Sequence, residues 1–206
     1  MMKRACLLSA GIAIATALPA SGQMPKTPPG IADTRRIAAG TYAVDPGHSQ
    51  VTFTVNHLGF STYRGMFGAV TGSMTIDPKA PARSKVSIVI PVSGITTTVA
   101  KLDEHLKGPD FFDAAKFPTA RFEAVSIRPS GKRAKISGRL TIKGVTKPVV
   151  LDAVFIGAGT MMGKRTIGFD ATTTIRRSDF GVSYGIPLVP DLVPLQISVA
   201  FEKPEP

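Results

Sequence analysis

The chain has 206 residues, 43% of them hydrophobic, and a formal net charge of +11. That length holds one domain with a real core and is short for two. Cys6 is the single cysteine, which excludes an internal disulfide, and the basic residues are scattered along the chain in ones and twos, which argues against a nucleic-acid partner and leaves an anionic membrane surface as the polyanion to consider.

The N-terminus reads "MMKRACLLSAGIAIATALPASGQ". Lys3 and Arg4 form a basic start, Ala5 to Leu18 an apolar stretch, and Ala20 and Gly22 are small residues at the −3 and −1 positions of a cleavage before Gln23. This predicts a secretory signal peptide over residues 1–22. The mature chain would then hold no cysteine, which suits the bacterial periplasm. Residues 23–40, rich in proline and polar side chains, read as a flexible linker.

From Thr41 onward, period-2 patterns dominate. Thr41 to Asp45 reads as a short strand ended by Pro46-Gly47. Val51, Phe53 and Val55 share one face, with His57 in the same phase. Residues 66–76 read as one strand with Met66, Val70, Met74 and Ile76 inward. Val86, Ile88, Ile90 and Val92 follow, then a strand around Phe122. Ala134, Ile136, Leu140 and Ile142 give the cleanest alternation. Segment 148–156 is apolar on both phases and reads as covered on both sides. Ile167, Phe169, Ala171 and Ile175, then Val193, Leu195, Ile197, Val199 and Phe201, complete about eight strands.

One interruption is helical. Val99, Leu102 and Leu106 fall at i, i+3 and i+7 before Gly108 and Pro109 stop the helix, and Asp110 is placed to cap a second turn carrying Phe111 and Phe112. Eight or so antiparallel strands with one polar face each predict an all-β fold: a closed barrel, with a β-sandwich as the alternative. Gly68, Gly72, Gly138 and Ala171 thin the inner wall, as a cavity would require, although glycines in long strands also mark bulges. The strand residues expected to contact a ligand are Phe53, Val55, Phe67, Met74, Ile88, Ile90, Phe122, Leu140, Phe169 and Ile197. Each buried methylene contributes about 0.8 kcal/mol and an exposed charge pair roughly 0–1 kcal/mol, so a long apolar tail would dominate affinity.

The three histidines, His48, His57 and His105, show no converging third ligand, so no metal site is expected. There is no G-x-S-x-G elbow, and no catalytic residue is assigned. "RRSDFG" (Arg176–Gly181) reads as a strand-end turn in which Asp179 bonds backbone amides.

Four stretches together carry a resemblance: "YAVDPGHSQVTFTVNHLGFSTYRGMFG" (42–68), "LDEHLKGPDFFDAAKFPTARFE" (102–123), "GRLTIKGVTKPVVLD" (138–152) and "RRSDFG" (176–181). In order and spacing, across residues 41–203, the chain resembles the YceI-like family of polyisoprenoid-binding, lipocalin-like periplasmic proteins. The resemblance implies an extended eight-stranded antiparallel barrel with a short helical insertion near its opening. It also implies non-covalent binding of an isoprenoid lipid or quinone, with no covalent cofactor. His57 and Leu58 match the family's His-Leu-Gly turn, Arg64 its Arg-Gly position, and Asp103, His105, Phe111 and Phe112 the helical insertion that borders the pocket. His57, Leu58, Leu102, His105, Phe111 and Phe112 complete the expected ligand-binding set. Asn56 and Met66 stand where basic residues are common, which suits a quinone or neutral amphiphile better than a phosphate head. "GIPLVPDLVPL" is proline-rich and is expected to reshape one rim. The implied partners are a hydrophobic small-molecule lipid and, transiently, a membrane surface, with a homodimer among the family's oligomeric states. Two alternatives stay open: an enzyme acting on an isoprenoid or stress metabolite with His57 or His105 as base, and an accessory presenting quinone to a membrane cytochrome.

Overall fold

The structure is a computed structural model in which residues 26–204 are described. The expected signal peptide, residues 1–22, lies outside the described residues. Eleven strands follow in chain order: β1 (Gly40–Val44), β2 (Gln50–His57), β3 (Ser61–Phe67), β4 (Thr71–Ile76), β5 (Lys85–Pro91), β6 (Ile95–Thr96), β7 (Thr119–Ser130), β8 (Arg133–Ile142), β9 (Val145–Met161), β10 (Lys164–Arg176) and β11 (Leu192–Pro204). One helix, α1 (Ala100–Lys107), lies between β6 and β7.

All pairings are antiparallel, and the ring β1-β4-β5-β7-β8-β9-β10-β11 closes through β1 against β11. That is an eight-stranded barrel. β11 pairs with β1 through Glu202 and Phe201, and with β2 through residues Leu195 to Ser198. β1 and β2 therefore fill one barrel position end to end. β4 on β1 and β3 on β2 fill the next, and the short β6 continues the wall beyond β5. The five strands from β7 to β11 run the full length, with β10 and β11 matched from Lys164–Pro204 to Arg176–Leu192. The barrel thus has a helix end, near α1, and a hairpin end, where the β7–β8 and β9–β10 turns lie.

Residues 66–76 are two strands, not one. Met66 pairs outward on β3 and is exposed, while Phe67 points into the barrel. In β4 the inward residues are Met74 and Ile76. The inward phase moves from odd to even numbers because Gly68–Val70 leaves the ladder, with Ala69 at φ 54°, and a period of two cannot survive such a break.

Segment 148–156 is covered on one face only. Leu151, Ala153 and Phe155 face the interior, whereas Val150 and Ile156 are about half exposed. Ile156 is the extra residue of a bulge opposite Gly168/Phe169, and Val125 is the extra residue of another between Ala124 and Ser126. A bulge leaves its extra residue unpaired and bends the strand, and here Ile156 and Val125 lie exposed at these positions, while Val150, opposite Ser137, is outward in the regular ladder.

Two buried clusters share the interior. One, toward the hairpin end, gathers Tyr42, Met74, Phe155, Ile167 and Phe201. The other, toward the helix end, gathers Phe122, Leu140, Ile175, Phe180 and Val193. Of segment 23–40, the part from Lys26 is described, and Ile31 exchanges two backbone hydrogen bonds with Ala158 of β9 (3.1 and 3.0 Å).

Candidate functional site: an apolar barrel interior

The interior is hollow. Two compartments, of about 410 and 350 Å³, sit end to end along the barrel axis. Successive inward residues of one strand divide between them: on β11, Ile197 belongs to the hairpin-end space and Leu195 to the helix-end space, and on β8 Ile136 and Leu140 divide likewise. Val51 borders both. Both volumes fall in the range of small-molecule sites.

Two glycines keep the middle of the wall thin. A Cβ on Gly138 would lie 2.4 Å from the Phe122 ring, and one on Gly65 would lie 2.3 Å from the Phe53 ring. Phe53 and Gly65 are cross-strand partners. Each ring occupies the space that a side chain at the glycine would take. Phe67 then meets Phe53 at 6.0 Å and Phe112 edge-on at 5.4 Å.

The expected ligand-binding residues distribute as follows. Met74, Ile88, Phe122, Phe169 and Ile197 line the hairpin-end compartment. From the strands, Phe53, Val55, His57, Phe67, Ile90 and Leu140 line the helix-end compartment. The insertion adds Leu102, His105, Phe111 and Phe112 to the same space. Leu58 lines neither. It sits in the β2–β3 turn at φ 57°, partly exposed, beside the exposed Phe60. That turn is held by Asn56, whose Oδ1 accepts the Gly59 amide at 2.6 Å, and by the His57 carbonyl, which accepts the Phe60 amide at 3.0 Å. The His57 ring is left facing Tyr63 at 6.4 Å.

At the helix end an aromatic cluster closes over the space. His105 contacts Phe111 at 5.0 Å and Tyr184 at 5.3 Å, and Phe111 contacts Tyr184 at 5.3 Å. His105 Nε2 also faces Asp110 Oδ2 at 3.3 Å, so Asp110 serves that pair. Val99 precedes the helix as its N-cap and is exposed, so α1 offers Leu102 and Leu106 alone from the expected stripe. Asp103 ties the helix to β6: its Oδ1 accepts from the Thr97 amide at 2.7 Å and the Thr97 hydroxyl at 2.6 Å.

Sequence reasoning missed Arg177 and Tyr184. Arg177 is buried and borders the helix-end compartment, but its guanidinium is fully engaged. Nε donates to the Pro190 carbonyl, Nη1 to Val182 and Tyr184, and Nη2 to Val189, each at 2.9 Å. Burial pushes its pKa down, opposed by the nearby Asp191 carboxylate. Arg177 is thus a staple for the 182–190 loop that carries Tyr184. The turn at "RRSDFG" is bonded by Asp191, which accepts from the Ser178 amide (2.9 Å) and hydroxyl (2.7 Å), and not by Asp179. The motif marked the turn, but nothing in it named an acid thirteen residues on.

Among the described residues, no group of three or more His, Cys, Asp or Glu side chains could hold a metal. The helix-end space offers a ligand aliphatic and aromatic contact, two imidazoles, and no uncommitted cation. The hairpin-end space is equally apolar within, but Arg35, Lys132 and Arg133 border it.

A closed antiparallel barrel with a hollow apolar interior and a helical flap defines the class of lipocalin-like binding barrels. A YceI-like domain model matches residues 42–201, and the chain belongs to that family. It is 38% identical to protein YceI of Escherichia coli O157:H7 over 164 residues, covering 78% of this chain and 86% of that protein. Among solved structures it is similar to BcnA of Burkholderia cenocepacia, with a TM-score of 0.67 and 25% identity over 76% of this chain and 98% of that one. The fold also matches a polyisoprenoid binding domain from Saccharophagus degradans implicated in plant cell wall breakdown, with a TM-score of 0.60 at 14% identity, covering 79% of this chain and 98% of that one.

Proposed function

We propose that this protein is an exported, periplasmic carrier or store for an isoprenoid or similar amphiphilic lipid, such as a quinone or polyprenyl compound, held non-covalently inside the barrel. The observation that carries the reading is the pair of apolar compartments stacked along one closed barrel. A slender branched chain fits that shape, and burial at about 25 cal/mol per Å2 of apolar surface supplies the affinity. Family membership supports the same reading, and so does the polyisoprenoid binding of the Saccharophagus degradans domain. His57 and His105 act in this reading as lining groups that meet the polar end of the ligand, not as bases, since each ring is packed on aromatic neighbours.

The test is to purify the folded protein from a lipid-containing host, denature it, and analyse the released material by mass spectrometry. A stoichiometric amphiphile with a long apolar tail is expected. Folded protein that releases none would overturn the proposal.

A further inference from the structure

The two ends of the barrel differ sharply in charge. Three segments border the hairpin-end mouth: residues 34–37, the 77–84 loop and the β7–β8 turn. They and their flanks carry Arg35, Arg36, Lys79, Arg83, Lys85, Arg128, Lys132 and Arg133, all exposed. The acids nearby are already committed. Asp33 holds Arg35 at 2.8 Å, Glu202 holds Lys164 at 2.7 Å, and Asp77 accepts the Lys79 amide. Among the described residues, no carboxylate pairs with Arg83, Arg128, Lys132 or Arg133. The helix end carries Asp103, Glu104, Asp110, Asp113, Asp179 and Asp191 against Arg64, Lys101, Lys107, Lys116, Lys143, Lys147, Arg176 and Arg177, so its cationic surplus is smaller than that of the hairpin end. The hairpin end also presents an apolar tip: Met162, at the β9–β10 turn, is 90% exposed.

We infer that the hairpin end is a docking surface for an anionic lipid bilayer, which sets the mouth bordered by Lys132 and Arg133 against the head groups. Charge complementarity carries the assignment. A collar of unpaired cations gains about fivefold in affinity for each Lys or Arg that reaches an anionic surface, and one exposed apolar side chain among them adds contact at the interface. The helix end, where carboxylates offset most of the cations, gains less from the same surface, so the barrel axis stands toward the membrane with a preferred sense. This rests on the lipid-binding reading for its purpose, since docking would place a lipid-sized cavity mouth at the lipid source, but the charge distribution stands without it.

Vesicle co-sedimentation tests the inference, with phosphatidylcholine vesicles compared with vesicles containing phosphatidylglycerol. Binding is expected with phosphatidylglycerol and not with phosphatidylcholine alone, and it should weaken steeply between about 50 and 300 mM salt. The Lys132→Glu/Arg133→Glu variant should bind at least about twentyfold more weakly, and Lys79→Glu/Arg83→Glu should repeat the loss from a separate loop. Lys101→Glu/Lys116→Glu, at the helix end, should bind like the parent. Equal binding to both vesicle types, no binding to phosphatidylglycerol, equal losses from variants at both ends, or preference for duplex DNA over vesicles would each overturn it. Mass spectrometry of the lipid retained by the same variants separates the two claims. Lost docking with retained lipid leaves the carrier reading intact, and intact docking with an empty barrel leaves the docking surface intact.

Discussion

At the scale of single residues, His48 shows how little of a histidine's role follows from its presence. Its Nδ1 meets Asp45 Oδ2 at 2.5 Å in the turn before β2, on the outside of the barrel. Hydrogen bonding to Asp45, with the carboxylate's charge, raises the His48 pKa above its usual 6.5. Burial opposes ionisation of Asp45, but His48 and the Gly47 amide outweigh it and hold that carboxyl below its usual value. The sign follows from linkage. Because His48 binds its proton more tightly when folded, its contribution to stability is complete below the unfolded pKa and is lost as pH rises through the folded one. Asp45 contributes above its unfolded pKa and loses that contribution as pH falls through the folded value. The pair therefore favours the fold most in mildly acidic solution. Proton NMR titration should show His48 titrating above 6.5, and Asp45→Asn should bring it down, with the Glu202 charge still acting upward. An unchanged His48 titration in that variant would remove the pair from the account.

At the scale of elements, α1 is an eight-residue helix, too short to persist on amide bonds alone. Its N-cap, Val99, supplies no side-chain bond, so Asp103 and the packing of Leu102 and Leu106 hold it. Asp103→Ala would strand the amide of Thr97, a buried residue, and should cost about 1–3 kcal/mol in chemical denaturation. Amide exchange over residues 100–107 should accelerate while β8 and β10 stay protected. Uniform acceleration, or none, would mean that the helix is not anchored there.

The same scale shows what was legible in the sequence. β8 and β10 read directly, because each keeps a polar outer phase against an apolar inner one along its length, and β11 read through the unbroken apolar run of its inner phase, Val193 to Phe201. Residues 66–76 misread because a three-residue break can shift the phase without changing the composition. Segment 148–156 misread because Ile156 is apolar yet sits at a bulge, and a bulge is set by its partner strand. Most of the cavity lining was legible through phase alone. Arg177 was not, because its partners are backbone carbonyls of a loop whose path no side-chain pattern encodes. Leu58 sits where the family's turn motif places it, but a turn residue at positive φ points where the turn directs it, clear of both compartments.

At the scale of the whole molecule, closure is the organising feature. Joining β1 to β11 satisfies the strand edges that an open sheet would expose, and it encloses a space that bulky side chains do not fill. The long strands from β7 to β11 supply a continuous wall, while the broken strands β1 to β6 let the chain change phase and admit the helical flap. Rigidity and access are thereby assigned to different halves of the sequence.

Val51, set where the two compartments adjoin, gives the barrel a ruler. An amphiphile short enough for one chamber should load twice, whereas a long polyprenyl chain spans both chambers past Val51 and excludes a second guest. Calorimetric titration should therefore give a stoichiometry near two for short chains and one for long ones, and Val51→Phe should weaken the long guests more than the short.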